Sequence, residues 1–194
     1  MDVPELRTER LRLRGWLDAD RSPFASLNAD PEVMAHFPSI LSRAASERLV
    51  DAVSDGWVAN GFGLWALERL ADRMFLGFTG LSRPSFEAHF TPAVEIGWRL
   101  ARTAWGRGYA TEAAAIALRF GFEEIGLEEI VSFTVPANVR SRAVMERLGM
   151  RRDPADDFDH PKVPEGHRLR RHVLYRLARD DWRRASRRPA APGT

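Results

Sequence analysis

The 194-residue chain contains no cysteine. That absence excludes disulfides, a thiolate nucleophile and cysteine-based zinc sites, and it fits a cytoplasmic protein. Lysine is almost missing as well. Lys162 is the sole lysine among 29 basic residues, so arginine carries the positive charge. Two readings of this stand side by side: recognition of anions by planar, bidentate guanidinium groups, and a compositional bias without a ligand. No apolar run approaches the ~20 residues of a membrane span, so no membrane partner is expected. Residues 1–14 carry charges throughout and lack the apolar core of a signal peptide, so no leader is expected. Basic residues number 29 and acidic 27, for a net charge of +2, which argues against a dedicated nucleic-acid binder. Arginines nevertheless crowd the stretch from Arg168 to Arg188.

What the chain does have is 44% hydrophobic residues, enough to bury the core of one domain. That domain is expected over residues 1–185, with a disordered tail at 186–194. Leu11 and Leu13 alternate with Arg10, Arg12 and Arg14, the period of a half-buried strand. Asp18 or Asp20 is placed to cap a first helix reaching about Asn28. Ser42 opens a longer helix along Ala45, Leu49, Val53 and Trp57, ended by Asn60-Gly61. Residues 63–70 and 74–81 read as a hairpin, and 94–100 as a further strand. A helix spans 109–125, a strand 130–135 and a helix 138–148, stopped by Gly149. A short strand at 150–153, a long loop at 154–171 and a last strand at 172–177 complete the pattern. This order predicts an α+β, three-layer fold: a mixed sheet of six or seven strands with helices on both faces, not a regular βαβ array.

The most informative stretch runs from Val94 to Ala114. A strand enters a turn holding Gly106 and Gly108, and a long helix opens at about Tyr109. Glycines let the backbone adopt positive φ and approach a ligand closely. The helix start offers free N–H groups and the positive end of its dipole, which suits a phosphate, and Arg107 adds charge there. The alternative is a tight strand–helix turn with no ligand. The stretch is not a P-loop, because no Gly-Lys-Ser/Thr follows, and the dinucleotide spacing fails at Thr111.

These residues resemble the GNAT superfamily of acetyl-CoA-dependent N-acetyltransferases. That family carries Gln/Arg-x-x-Gly-x-Gly/Ala after its fourth strand. Gly108 and Ala110 match the last two positions, while Trp105 stands at the first. Trp105-Gly-Arg-Gly-Tyr-Ala-Thr-Glu112 is similar to the ribosomal-protein alanine N-acetyltransferase branch. So are Leu6-Arg-Thr-Glu-Arg10 with Asp30-Pro-Glu-Val33, and Asn138-x-x-Ser141 with Leu148-Gly-Met150. The resemblance covers about residues 6–182 and implies the GNAT fold, in which the fourth and fifth strands splay apart to admit the pantetheine arm. It implies main-chain contacts from Trp98, Arg99 and Leu100, and a pyrophosphate wrapped by Gly106, Arg107, Gly108, Tyr109, Ala110 and Thr111. Asn138 and Arg142 would reach the pantetheine and phosphates. A helix cap for Asn138 and a solvated helix face for Arg142 are the competing readings.

The implied chemistry is direct attack of a primary amine on the thioester, with no acyl-enzyme. Glu95 is the expected base: it shares one strand face with Gly97 and Arg99 and precedes Trp98 by three residues. Its competing role is a strand carboxylate paired with an arginine. His160, His167 and His172 are rivals, because histidine titrates near neutrality. Many family members place a tyrosine seven residues after the motif asparagine, where this chain has Met145, so Ser141 is the expected acid and Tyr175 a weaker one. Asp157, Asp159 and His160 are metal-ligand types, but their spacing fits no standard site and no metal is expected. Trp57, Phe62, Trp65, Phe75 and Phe78 read as core; Phe37, Trp16 or Phe86 would line the acceptor cleft. The acceptor would be a protein N-terminus or a small amine, and Asp153, Asp156, Asp157 and Asp159 could supply an acidic cleft for a cation. The opposing class is a CoA-binding regulatory module without catalysis. A third is a nucleic-acid- or ribosome-associated protein using the late arginines. Either a monomer or a homodimer fits.

Overall fold

The computed structural model describes residues 3–186. The short strands β1 (Leu6–Arg7) and β2 (Leu11–Arg14) open the chain, followed by helices α1 (Arg21–Ala29) and α2 (Arg43–Asn60). Strands β3 (Leu64–Arg69), β4 (Phe75–Ser82) and β5 (Glu95–Leu100) lead into α3 (Tyr109–Glu123). Then come β6 (Glu129–Thr134), α4 (Val139–Arg147), β7 (Arg151–Arg152), β8 (Phe158–Asp159), β9 (Arg171–Ala178) and α5 (Arg179–Ser186). The sheet order is β1-β2-β3-β4-β5-β6-β9-β7, with β8 beside β9. Every pairing is antiparallel except β5–β6.

The strand count exceeds six or seven because β1, β7 and β8 are two residues long. The long loop expected at 154–171 contains one of them, β8. The tail expected at 186–194 lies outside the described residues apart from Ser186, which ends α5. Asp20 makes no side-chain cap on α1 and closes the 3-10 turn Asp18–Asp20 before it. Its carboxylate instead takes the Leu17 N–H at 2.8 Å and the Arg14 guanidinium at 2.7 and 3.0 Å. Ser42 does cap α2, accepting from the Ala45 N–H at 3.2 Å, and Gly61 ends that helix at φ 72°.

One face of the sheet packs on α3. Ala113, Ala114 and Ala117 are fully buried, and these small side chains let the helix lie close over Ile96 and Leu100. On the other face α1 and α2 bury Phe24, Leu27 and Val50 against Phe78. Trp16 packs against this core, with its ring 4.8 Å from Phe24. β4 passes unusually near β5 at Gly77, where a Cβ would stand 2.1 Å from the Arg99 carbonyl oxygen.

Candidate active site

The parallel pair β5–β6 is joined at one register position, Glu95 opposite Val131. Beside it, Val131 N–H donates to the Val94 carbonyl at 2.9 Å, and the Ser132 hydroxyl to the Ile96 carbonyl at 2.9 Å. The strands part beyond Ile96. Backbone polar groups alternate sides along a strand, so the register decides which residues face the opening. Ala101 N–H bonds to Leu76 in β4, and Arg99 is paired with Phe78 on that same side. Trp98 and Leu100 therefore present their main chains to the opening, and Arg99 does not. The Leu100 carbonyl is occupied by the Trp105 indole N–H at 2.9 Å. The Trp98 main chain and the Leu100 N–H are left facing the gap.

At the C-terminal mouth of this gap the chain turns into α3. Gly106 and Gly108 take φ values of 73° and 80°, the left-handed region. Among the described residues no carbonyl accepts from the N–H groups of Gly106 through Thr111; the first helical bond is Glu112 N–H to the Gly108 carbonyl at 3.0 Å. Arg107 is exposed and makes no ion pair among the described residues. The turn is held from behind by residues to which the sequence motif gave no role. Glu112 accepts from the Thr8 hydroxyl, from the Arg10 N–H at 3.1 Å and from Arg10 Nε at 2.7 Å. Arg10 also donates to the Arg107 carbonyl at 3.0 Å and lies 4.7 Å over the Tyr109 ring. Tyr109 itself is buried. Nothing in residue spacing could reveal this brace, because its partners are about a hundred positions apart.

Across the gap, Asn138 caps α4: its Oδ1 accepts from the Ser141 N–H at 3.2 Å, and its Nδ2 donates to Thr134 Oγ1 at 3.0 Å. Ser141 is half-buried, and its hydroxyl has no hydrogen-bond partner among the described residues. Arg142 is tied to the Pro136 carbonyl at 3.1 Å and to the Tyr175 hydroxyl at 3.3 Å. Tyr175 in turn donates to Glu146 at 2.8 Å. Met145 is buried in the core. Arg140, which the sequence did not single out, lies 4.6 Å over the Trp105 ring and bridges the two sides of the mouth.

Glu95 stands at the root of the gap. Its carboxyl makes no ion pair or hydrogen bond among the described residues, and burial alone pushes its pKa up to about 8. Its Oε1 leans along the strand, 4.0 Å from where a Cβ on Gly97 would be. His160 packs in an aromatic cluster, 4.4 Å from Phe86 and 5.0 Å from His172. Burial, then the nearby His172 and Lys162, pull its pKa down to about 4. Its Nδ1 accepts from the Lys162 N–H at 3.2 Å. Burial also lowers the pKa of His172.

The aspartates expected to form an acidic cleft are spent elsewhere. Asp153 caps a short 3-10 turn, Asp156 binds Arg176 at 2.7 Å, Asp157 binds Arg152, and Asp159 faces Arg170 and Arg171. Of the late arginines, Arg170, Arg171 and Arg176 are consumed by the same pairs.

The chain matches the acetyltransferase (GNAT) domain model over residues 10–151 and belongs to that family. It is similar to the uncharacterised protein YkkB of Bacillus subtilis, at 33% identity over 75% of this chain and 84% of that protein. It is also similar to the FsC-acetyl coenzyme A-N(2)-transacetylase of Aspergillus fumigatus, at 32% identity over 93% of this chain and 79% of that one. Among solved structures it resembles an acetyltransferase from Agrobacterium tumefaciens, with TM-score 0.73 and 28% identity over 91% of this chain and 95% of that one. A ribosomal-protein-S5-alanine acetyltransferase from Vibrio fischeri shares the fold at TM-score 0.72 and 16% identity, over 93% and 99% of the two chains. The protein is an N-acetyltransferase. Among the described residues no helix is long and apolar enough to cross a membrane.

Proposed function

We propose that this chain moves an acetyl group from acetyl-CoA to a primary amine, on a small molecule or a protein N-terminus, by direct attack. The observation that carries the reading is the meeting, on one strand, of an unpaired Trp98 main chain facing an opened sheet and an unpaired, desolvated Glu95 carboxyl. The name of the Aspergillus relative adds acetyl coenzyme A as a donor.

The residues present fit coenzyme A. Free N–H groups from Gly106 to Thr111, with Arg107 beside them, suit a pyrophosphate at the α3 start. The Trp98 main chain and Leu100 N–H suit an extended, amide-bearing arm laid between β5 and β6. Asn138 is the cap of α4 first, and only its remaining lone pair can serve a ligand. Arg142 is engaged inside the fold, so its part is to hold the β6–α4 turn.

Acetyl-CoA supplies the acetyl group as a thioester, whose carbon–sulfur bond breaks as the carbon–nitrogen bond forms. Glu95 takes the proton from the ammonium, directly or through one water, since the attacking nitrogen needs its lone pair. Magnitudes decide between Glu95 and His160. An alkylammonium has a pKa of about 10.4. Transfer to a base at about 8 costs about 3 kcal/mol, and to one at about 4 about 9 kcal/mol. His160 is too weak by about 5 kcal/mol, whatever its position. The Trp98 N–H is the fixed donor for the developing oxyanion; as the tetrahedral adduct collapses, the nitrogen sheds its second proton to the Ser141 hydroxyl, which passes its own to the departing thiolate.

The test is a panel of small amines and N-terminal peptides, followed by release of free CoA. Acetylated product in step with CoA release supports the reading. No transfer to any acceptor, with Glu95→Gln/Ser141→Ala indistinguishable from the parent in acetyl-CoA hydrolysis, would sink it.

A further inference from the structure

Arg99 has no carboxylate partner. Its guanidinium is buried, is not in any ion pair among the described residues, and its Nε finds no hydrogen-bond acceptor. One contact fixes it: its Nη1 donates to Asn28 Oδ1 at 2.6 Å. Asn28 is fully buried and is itself oriented by its Nδ2 bond to Ser46 Oγ at 3.1 Å. The guanidinium lies 4.1 Å over Phe37 and 5.5 Å from Phe78, so aromatic rings replace water around it. Burial pulls its pKa down to about 10, which leaves it charged at neutral pH. A buried cation without a counter-ion is costly, and burial of this kind is ordinarily offset by pairing.

The neighbourhood adds positive charge. Arg168 donates to the Ala35 carbonyl at 3.4 Å, and the pKa of His36 is held down by burial and then by the charges of Arg168 and Arg140. Its Nδ1 is buried without a partner. Residues 35–37 thus gather three arginines, none of them in an ion pair among the described residues. The acids that might have neutralised the cleft are paired in the β7–β9 region. Arg99 also shares its strand face with Glu95, four residues away, or about 13 Å along the strand. Between them stands Gly97, which fills none of that trough.

We propose that the acceptor is an amine bearing a carboxylate, held by Arg99 while its nitrogen reaches Glu95. This rests on the transferase reading above and names the substrate class of the same site. The planar guanidinium presents a donor fork that matches a carboxylate. A polyamine would instead set cation against cation.

The experiment compares acids with their uncharged amides. One arm uses glycine, 3-aminopropanoate, 4-aminobutanoate, 5-aminopentanoate and their carboxamides. A second uses alanine-led peptides with Glu or Gln at the next position, and so separates a free amino acid from an acidic N-terminus. With the parent protein, kcat/KM for the best acid should exceed that for its amide by about 10- to 150-fold, the range of a hydrogen bond to a charged group. In Arg99→Gln the ratio should fall to near one, mainly through KM, and Arg99→Lys should recover only part of it. Calorimetric titration of 5-aminopentanoate and its amide into the CoA-loaded parent gives a readout free of turnover. Equal binding, or a preference for the amide or for spermidine, overturns the proposal. Tight acid binding without transfer to any amine would leave it standing and sink the transferase reading instead.

Discussion

Glu95 and His160 show how burial sets chemistry one residue at a time. Both lose water and both are pushed toward the neutral form, but the carboxyl moves into the useful range and the imidazole out of it. The same shift bears on stability. Below about pH 4.5 Glu95 is protonated in folded and unfolded chains alike and adds nothing. From there to about 8 the unfolded chain gives up the proton while the folded chain keeps it, so stability is lost as pH rises. Glu95→Gln removes that loss. Its melting temperature should therefore exceed the parent's by a margin that grows across this window, to about 9–17 °C at pH 8, while its kcat falls by about 100-fold or more. Scanning calorimetry of both proteins at pH 5 and pH 8 checks it; an unchanged margin would mean that Glu95 keeps an ordinary pKa. The sequence pointed to Glu95 through strand alternation and family resemblance. It gave no hint that the carboxyl would lack a partner, since pairing depends on residues brought in from other elements.

At the scale of elements, the α3 turn depends on its brace. Gly108 holds φ 80°, and a Cβ there would stand 3.4 Å from Arg10 Nη2. Gly108→Ala should cost about 1–3 kcal/mol in strain and raise KM for acetyl-CoA, measured by initial rates at saturating acceptor. Arg10→Ala leaves the glycines intact but frees the turn. Its KM for acetyl-CoA should rise about 3- to 10-fold, the scale of one ordinary hydrogen bond lost from the fold, with kcat changed much less. An equal fall in kcat would place the brace in the chemistry itself. The glycines were legible because positive φ has a residue signature. Three other features were not. Asp20 had the look of a cap, yet the Arg14 charge claimed its carboxylate. α5 was missed, although Asp180 and Asp181 open it and Arg183 and Arg184 close it, complementing its dipole. It docks through Trp182 on Phe122, with rings 5.3 Å apart, a contact between distant positions. The acidic loop read as a cleft because sequence shows charges but not their partners.

At the scale of the molecule, arginine-rich composition resolves into two populations. Among the described residues most guanidinium groups are paired with acids. Arg14 is the deepest, bonded to Glu68 at 2.8 Å and to both oxygens of Asp20. Arg14→Met strands two buried carboxylates and should cost about 3–5 kcal/mol in denaturant unfolding. Arg43→Met, which loses an exposed pair with Glu47, should cost under about 0.5 kcal/mol. Similar losses would show that the Arg14 network is solvated. Of the arginines without an ion pair among the described residues, Arg99, Arg107, Arg140 and Arg168 lie about the opened sheet. The three-layer plan was legible from hydrophobic period and turn residues, and the opening between β5 and β6 from the resemblance alone. Absence of cysteine takes on meaning here, because direct transfer needs no protein sulfur. The central claim is that Glu95, desolvated beside the parted strands, accepts the amine proton. Its most direct test is the pH profile of kcat/KM for the parent and for Glu95→Gln on one acceptor, measured from about pH 5.5 to 9.5. The parent should rise about tenfold per pH unit to a limb at about 8 and then level off. Glu95→Gln uses only amine that is already neutral, so it should lack that limb, keep climbing toward about 10.4, and lie about 100-fold or more below the parent at about pH 7.5. A parent profile without the limb at about 8, or one that Glu95→Gln reproduces, would contradict the assignment.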